Sequence, residues 1–157
     1  MKATLGHGIA RALGGVLVLL AATLFAGCAS VPMASAEADA AAKRFEAPAG
    51  KATIYIYRNE IIGGAIALTV ALDGRVVGRT GPKTFFALDV APGAHEISSI
   101  TENTSTLKFN ASAGKTYFVW QEVKMGMWQP RSQLQQVDEA TGRKAVLECK
   151  RIEPGLE

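Results

Sequence analysis

The chain has 157 residues, of which 48% are hydrophobic and 20% charged, a composition typical of a protein that buries one apolar core. Its formal net charge is +3, with 17 Lys and Arg against 14 Asp and Glu. Lys2 and Arg11 lie in the first 27 residues, which hold no acid, so the remaining 130 residues are close to neutral. A near-neutral domain lacks the basic face that phosphate groups require, so we expect no nucleic-acid partner.

Residues 1–27 have the three parts of an export signal. A basic head is followed by an uncharged run, residues 12–27, which is shorter than the roughly 20 residues that a membrane-spanning helix needs. The small residues Ala26 and Gly27 then precede Cys28. This order resembles a bacterial lipoprotein signal, in which Cys28 is acylated and becomes the first residue of the mature protein. The alternative is an ordinary thiol beside an ordinary cleavage site.

Acylation of Cys28 predicts that membrane lipid is a partner of this protein. Each buried acyl CH₂ group contributes about 0.8 kcal/mol, so several chains, palmitate among them, hold a protein almost permanently. Ala29 rather than an aspartate follows the cysteine. By resemblance to the sorting pattern of enteric-type bacteria, this favours the inner leaflet of the outer membrane, with the protein facing the periplasm. Cys149 is then the one remaining thiol, and we interpret it as a buried apolar residue rather than a partner in an intermolecular disulfide.

The chain after residue 27 divides into three parts that differ in composition and in predicted structure. Residues 28–50 are rich in alanine and serine, and we interpret them as the lipidated cysteine followed by a flexible tether. Residues 51–150 form the predicted folded domain, and residues 151–157 a tail. No internal repeat or second domain is evident.

Short β-type segments separated by glycine or proline fill the predicted domain. Asp73-Gly74 is a dipeptide that tolerates the backbone of a tight hairpin. Asp138 is placed to begin a short helix that ends near Leu147. The fold class is therefore all-β, an antiparallel β-sandwich of about seven to nine short strands with one short C-terminal helix. The predicted strands are residues 53–58, 66–72, 75–78, 84–90, 95–100, 107–111, 116–123 and 132–137.

An ordered set of short motifs carries a resemblance to a known family. The set comprises Ala52-Thr53-Ile54-Tyr55-Ile56-Tyr57-Arg58, Leu72-Asp73-Gly74 with Gly78, Pro92-Gly93-Ala94-His95, Ala113-Gly114-Lys115-Thr116-Tyr117-Phe118 and Val137-Asp138-Glu139-Ala140-Thr141-Gly142. It resembles the bacterial lipoproteins grouped as domain of unknown function 2846, over about residues 50–150. Two of its motifs also resemble the small sandwich domains named for a Pro-Glu-Gly-Ala motif. The resemblance implies an envelope protein with a β-sandwich and brings no catalytic residues.

The predicted domain holds one histidine, His95, so it offers poor material for a metal site or an acid–base pair. We interpret His95 as a residue that closes a turn by hydrogen-bonding local backbone. The competing hypothesis is an envelope hydrolase or transferase that uses His95 with Ser98 or Asp89. We expect no enzyme activity, no catalytic residues, no cofactor and no metal.

The sequence supports a binding function more strongly than a catalytic one. Trp120 and Trp128 flank Met125 and Met127, and exposed clusters of this kind often mark contact surfaces. We therefore predict a non-catalytic binding or structural module whose contact surface includes Trp128, Met127, Met125, Trp120 and Glu122, with an envelope protein or peptidoglycan as its partner. In the alternative interpretation, both tryptophans pack over the open end of the sandwich.

Overall fold

The computed structural model describes residues 31–128 and 130–155, so the predicted leader and Cys28 lie outside the described residues. Two helices and nine strands make up the described part of the chain. The helices are α1 (Ala36–Ala42) and α2 (Glu139–Leu147); the strands are β1 (Ala52–Arg58), β2 (Leu68–Leu72), β3 (Arg75–Thr80), β4 (Thr84–Val90), β5 (Gly93–Ile100), β6 (Thr104–Ala111), β7 (Thr116–Lys124), β8 (Arg131–Val137) and β9 (Lys150–Arg151).

The strands form two sheets that pack face to face. One sheet has the order β8-β7-β1-β4-β9 and the other the order β3-β2-β5-β6. Apolar side chains from both sheets, including Ile56, Val70, Phe86 and Ile97, form the core between them. The predicted all-β sandwich and the short C-terminal helix are both confirmed.

Two strand pairs are parallel, although the sequence led us to expect antiparallel pairing throughout. β1 pairs antiparallel with β4 but parallel with β7, and β4 pairs parallel with β9. A parallel neighbour needs a long connection, and β1 and β7 are joined through five intervening strands. Because β1 and β7 run in the same direction, the loops that follow them emerge at the same end of the sandwich.

β1 is the centre of the larger sheet and is buried on both faces. Ile54 and Ile56 point into the core between the sheets. Tyr55 and Tyr57 point to the opposite face, where they join a second apolar cluster beneath α2. This arrangement explains the alternation of isoleucine and tyrosine in the sequence, since each face of the strand packs against a different layer.

The alanine-rich segment is not a flexible tether where the structure describes it. Residues 31–47, which we call the strap, lie along the sandwich. Met33 forms an antiparallel bridge with Ile152, and Phe45 is 8% exposed within the cluster beneath α2. The sequence suggested a tether because Phe45 stands alone among small residues, yet its ring docks the segment together with the backbone pairing at Met33.

The prediction that residues 151–157 form a tail is wrong for the first two of them. Arg151 belongs to β9, and Ile152 is fully buried in the core. Burial of Ile152 removes its side chain from water, which holds the chain end against β4. The folded domain therefore extends beyond residues 51–150 on both sides.

Candidate functional site

Two loops at one end of the sandwich form the candidate site, which we call the tip. They are residues 59–67, between β1 and β2, and residues 125–128 with Pro130, between β7 and β8. The two loops pack together: a Cβ atom placed on Gly63 would lie 3.3 Å from the ring of Pro130 and 3.5 Å from Val123. Gly63 also has a φ of 68°, a conformation that favours glycine.

The tip exposes an unusual amount of apolar side chain. Met125, Met127 and Trp128 are 87%, 81% and 86% exposed, and Ile61 and Ile62 on the neighbouring loop are 74% and 58% exposed. Between the loops is an open groove of about 390 Å³, lined mainly by apolar side chains from both. Scattered apolar residues are normal on a protein surface, but a contiguous group is typical of a contact site.

A buried arginine holds the first tip loop in place. Arg58, at the end of β1, is fully buried, and its guanidinium donates to the carbonyl oxygens of Ile66 (2.8 Å), Ile62 (2.8 Å) and Gly63 (3.0 Å). Burial lowers the pKa of Arg58 from its ordinary value. A guanidinium nevertheless keeps its charge in proteins, and its fork of donors suits several carbonyls at once. The exposed Ile61 and Ile62 are therefore presented by a loop with a fixed backbone.

A chain of polar side chains crosses the sandwich at the same end. Thr80 donates to Gln121, Gln121 donates to Ser99 (2.6 Å), and the hydroxyls of Ser99 and Ser132 lie 2.7 Å apart. All four side chains are buried, and they come from β3, β7, β5 and β8. Satisfied buried networks of this kind fix the relative position of the strands that contribute to them. The tip is thus built on a rigid base.

The structure divides the predicted contact surface into two parts. Met125, Met127 and Trp128 lie together at the tip, but Trp120 and Glu122 point to the face of β7 that carries α2, because alternate residues of a strand face opposite ways. These two side chains already have partners within the domain.

The indole nitrogen of Trp120 donates to Glu60 (2.8 Å), and Trp120 packs against the cluster beneath α2. The carboxylate of Glu122 accepts from Lys124 (2.6 Å) and from the amide of Gln135. Trp120 also lines a second groove of about 410 Å³ between β1 and α2. Its side chain therefore serves packing first, and the tip is the part of the predicted surface that stands free of the core.

His95 lies at the opposite end of the sandwich from the tip. Its Nδ1 is 2.7 Å from the Asp73 carboxylate, and its Nε2 is 2.8 Å from the carbonyl oxygen of Ala91. The hydrogen bond to Ala91, with Asp73 as a further cause, raises the pKa of His95. Contact with the backbone after β4 is the role that the sequence suggested. The hypothetical partners are engaged elsewhere, since Ser98 lies against Thr106 and Asp89 accepts from Thr53.

Residues 31–128 and 130–155 offer neither a metal cluster nor a membrane-spanning helix. No group of three or more His, Cys, Asp or Glu side chains in these ranges is arranged to hold a metal ion. No helix in the same ranges has the length and apolar character needed to cross a membrane.

Sequence reasoning missed two residues of the tip, Ile61 and Ile62, and the arginine that holds the first tip loop. Ile61 and Ile62 form an apolar pair directly before Gly63-Gly64, and this pair in a turn was a usable signal of exposed apolar side chains. The sequence placed Arg58 only at the end of a predicted strand. Its burial depends on carbonyls four to eight residues further along the chain, which no local pattern indicates.

Comparison with known proteins gives one family and one relative. The model of the family described as protein of unknown function (DUF2846) matches residues 48–133, which include β1 to β7 and the start of β8. A protein of Haemophilus influenzae, described as uncharacterized, is 34% identical over 143 residues, covering 90% of this chain and 85% of the relative. The similarity to this relative therefore extends beyond the segment that the family model matches.

Proposed function

This chain belongs to the family described as protein of unknown function DUF2846, and we propose that it is a membrane-anchored envelope lipoprotein whose sandwich is a non-catalytic docking module for a partner protein. The observation that carries the proposal is the tip. Large apolar side chains there are exposed on loops that Arg58 and a polar network hold in a fixed geometry. Preorganised apolar surface lowers the entropic cost of binding.

Anchoring follows from the leader. The basic head, the uncharged run and the small pair before Cys28 support acylation of this cysteine. Ala29 favours the inner leaflet of the outer membrane as the location, with the domain in the periplasm. Incorporation of radiolabelled palmitate tests this part: wild type takes up label and Cys28→Ala does not. Equal labelling of the two proteins contradicts it.

The hydrogen bonds of His95 favour a docking function over a catalytic one. Both ring nitrogens are engaged by Asp73 and Ala91, so the imidazole has no nitrogen available to take a proton from a substrate. The tip, at the other end of the sandwich, offers apolar contact area instead of acid–base groups.

A protein partner suits the groove better than peptidoglycan does. Its walls include Val123, Met125, Trp128 and Pro130, which offer dispersion contacts to an apolar side chain. Methionine adapts its shape to different partners, and tryptophan is enriched where protein interfaces are strongest. Lys124 lines the same groove and the Glu102 carboxylate accepts from the Trp128 N–H (3.2 Å), but the walls are mainly apolar. A glycan fits such walls less well, because its many hydroxyls need hydrogen bonds that replace those they make with water.

Site-specific photocrosslinking in intact cells tests this function. A photoreactive residue at Met127 of the full-length protein should give a discrete protein adduct, and the adduct should disappear when Trp128→Ala is added. The same photoreactive residue at Lys108, exposed on β6, is the matched control and should give no such adduct. Glu122→Ala should leave the Met127 adduct intact, because Glu122 faces the other side of β7. An adduct released only by digestion of the cell wall, or one insensitive to Trp128→Ala, contradicts the proposal.

A further inference from the structure

The strap is joined to the end of the folded chain by backbone pairing. Ala34 N–H donates to the carbonyl of Arg151 (3.0 Å), and Glu153 N–H donates to the carbonyl of Pro32 (2.9 Å). Val31 packs against the core between the sheets. Residue 31, well before the first strand, is therefore already part of the folded body.

Contacts continue along the rest of the strap. Asp39 accepts from the backbone N–H of Arg151 (2.7 Å), and Lys43 donates to the carbonyl of Cys149 (2.7 Å). The hydroxyl of Tyr55 donates to the carbonyl of Ala42 (2.8 Å). Near the end of the strap, the ring of Phe45 lies 5.2 Å from that of Tyr55 and under the Arg143 guanidinium. A segment fixed at so many points does not act as a spacer.

The distance from the acylated cysteine to the folded body follows from this. Val31 is the third residue after Cys28, and a fully extended chain spans at most about 10 Å over that length. We propose that the end of the sandwich toward which the strap runs back from Ala34 to Val31 rests on the headgroups of the membrane that holds Cys28, and that the tip faces away from that membrane. This inference rests on the proposed acylation of Cys28.

The direction of the strap supports this orientation. β9 runs parallel to β4, from the Thr84 end at which the tip loops begin, toward the far end of the sheet. The strap is antiparallel to this segment, so the chain traced backwards from Ala34 to Pro32 moves away from the tip. The anchor and the docking surface therefore belong to different ends of the domain.

One exposed apolar side chain of the strap suits a headgroup layer. Met33 is 52% exposed, and it lines a groove of about 360 Å³ with Asp39, Lys150 and Arg151. Asp39 is paired with Lys43 (2.8 Å), which offsets its negative charge. Lys150 lies opposite Thr84, toward the tip, so the contact with the bilayer depends on the apolar thioether of Met33, which can enter the interface.

Fluorescence quenching in vesicles tests the orientation. The full-length acylated protein is reconstituted with a single dye-labelled cysteine, Met33→Cys in one variant and Met127→Cys in the other, and headgroup-nitroxide lipid is the quencher. Cys149 does not compete for the dye, because burial raises its pKa to about 12. We expect the label at position 33 to lose at least half of its emission and the label at position 127 to lose none.

A length variant supplies the matched control. A flexible Gly-Ser linker of about ten residues between Ser30 and Val31 leaves the strap intact but lets the domain drift from the bilayer, so quenching at position 33 should fall. Strong quenching at position 127, or none at position 33 in acylated protein, overturns the orientation alone. Failure of the wild type to incorporate palmitate and to float with vesicles overturns the anchoring as well, so the two failures are distinguishable.

Discussion

The two ring nitrogens of His95 make hydrogen bonds to two different acceptors. The Asp73 carboxylate and the Ala91 carbonyl both accept, so the ring satisfies both only when both nitrogens carry protons. This arrangement raises the pKa of His95, mainly through Ala91. Burial alone raises the pKa of Asp73, but the Glu96 N–H and His95 outweigh it and lower that pKa. The pair therefore links the β2–β3 hairpin to the turn after β4 in a pH-dependent way.

Replacing His95 with glutamine should reduce stability most in mildly acidic solution. The histidine contributes fully below its unfolded-state pKa of about 6.5 and loses that contribution as the pH rises through its raised folded-state value. Asp73 contributes above a pH of about 4 and loses its contribution in stronger acid. Thermal unfolding should therefore show a difference of a few degrees between wild type and His95→Gln near pH 5.5, and a smaller one near pH 9. A difference that is constant across this range contradicts the ion-pair interpretation.

Arg58 is a buried cation whose guanidinium is held by carbonyl oxygens rather than by an acid. Arg58→Met should lower the free energy of unfolding by about 3 kcal/mol, because three carbonyls of the first tip loop lose the buried guanidinium that donates to them. Amide hydrogen exchange in residues 59–67 should speed up more than in the rest of the domain. Urea unfolding and exchange measured on the same sample check both expectations.

Arg75→Met is the matched control for Arg58. Arg75 is exposed on β3, so its replacement should change the free energy of unfolding by less than about 0.5 kcal/mol. If Arg58→Met unfolds at the same urea concentration as Arg75→Met, the buried guanidinium does not organise the tip.

At the scale of elements, local chemistry predicted β1 to β8, the turns between them and the C-terminal helix, but neither α1 nor β9. Asp73 and Gly74 adopt φ values of 51° and 78°, the hairpin backbone that this dipeptide suggested. Asp138 caps α2 by accepting from the Thr141 N–H at 2.9 Å. The parallel pairing of β1 with β7 was not predictable in this way, because it joins Thr53 to Thr116 and no local signal records such a distant partner.

Gly142 lies inside α2, where alanine would ordinarily be more stable by about 0.5–1 kcal/mol. Here a Cβ atom would lie 2.2 Å from the ring of Phe118, which is buried beneath the helix. Gly142→Ala should therefore destabilise the protein by about 1–3 kcal/mol through overpacking. Urea unfolding gives the measurement.

Ala140→Gly is the reverse substitution at an exposed position of the same helix. It should cost at most about 1 kcal/mol, the ordinary penalty of glycine in a helix. A Gly142→Ala protein more stable than wild type would mean that α2 does not pack closely on β7.

At the scale of the whole molecule, the buried clusters that stabilise the fold and the exposed side chains of the tip lie in different regions. The apolar clusters on both faces of the larger sheet, closed by the strap, bury the residues that hold the fold together. The sequence located this body and part of the tip, since Met125, Met127 and Trp128 stood out by composition. It did not locate the strap, because docking by Phe45 depends on rings contributed by distant strands.

If the tip is a contact surface rather than part of the core, it should be dispensable for folding. The triple substitution Met125→Ala, Met127→Ala and Trp128→Ala removes side chains that are more than four-fifths exposed, so the free energy of unfolding should change by less than about 0.5 kcal/mol. Phe45→Ala removes one buried ring from the strap and should cost about 3 kcal/mol. Urea unfolding of both variants makes the comparison. A triple variant as unstable as Phe45→Ala would mean that the exposed side chains support the sandwich, and the groove between the loops would then be a packing feature instead of a docking site.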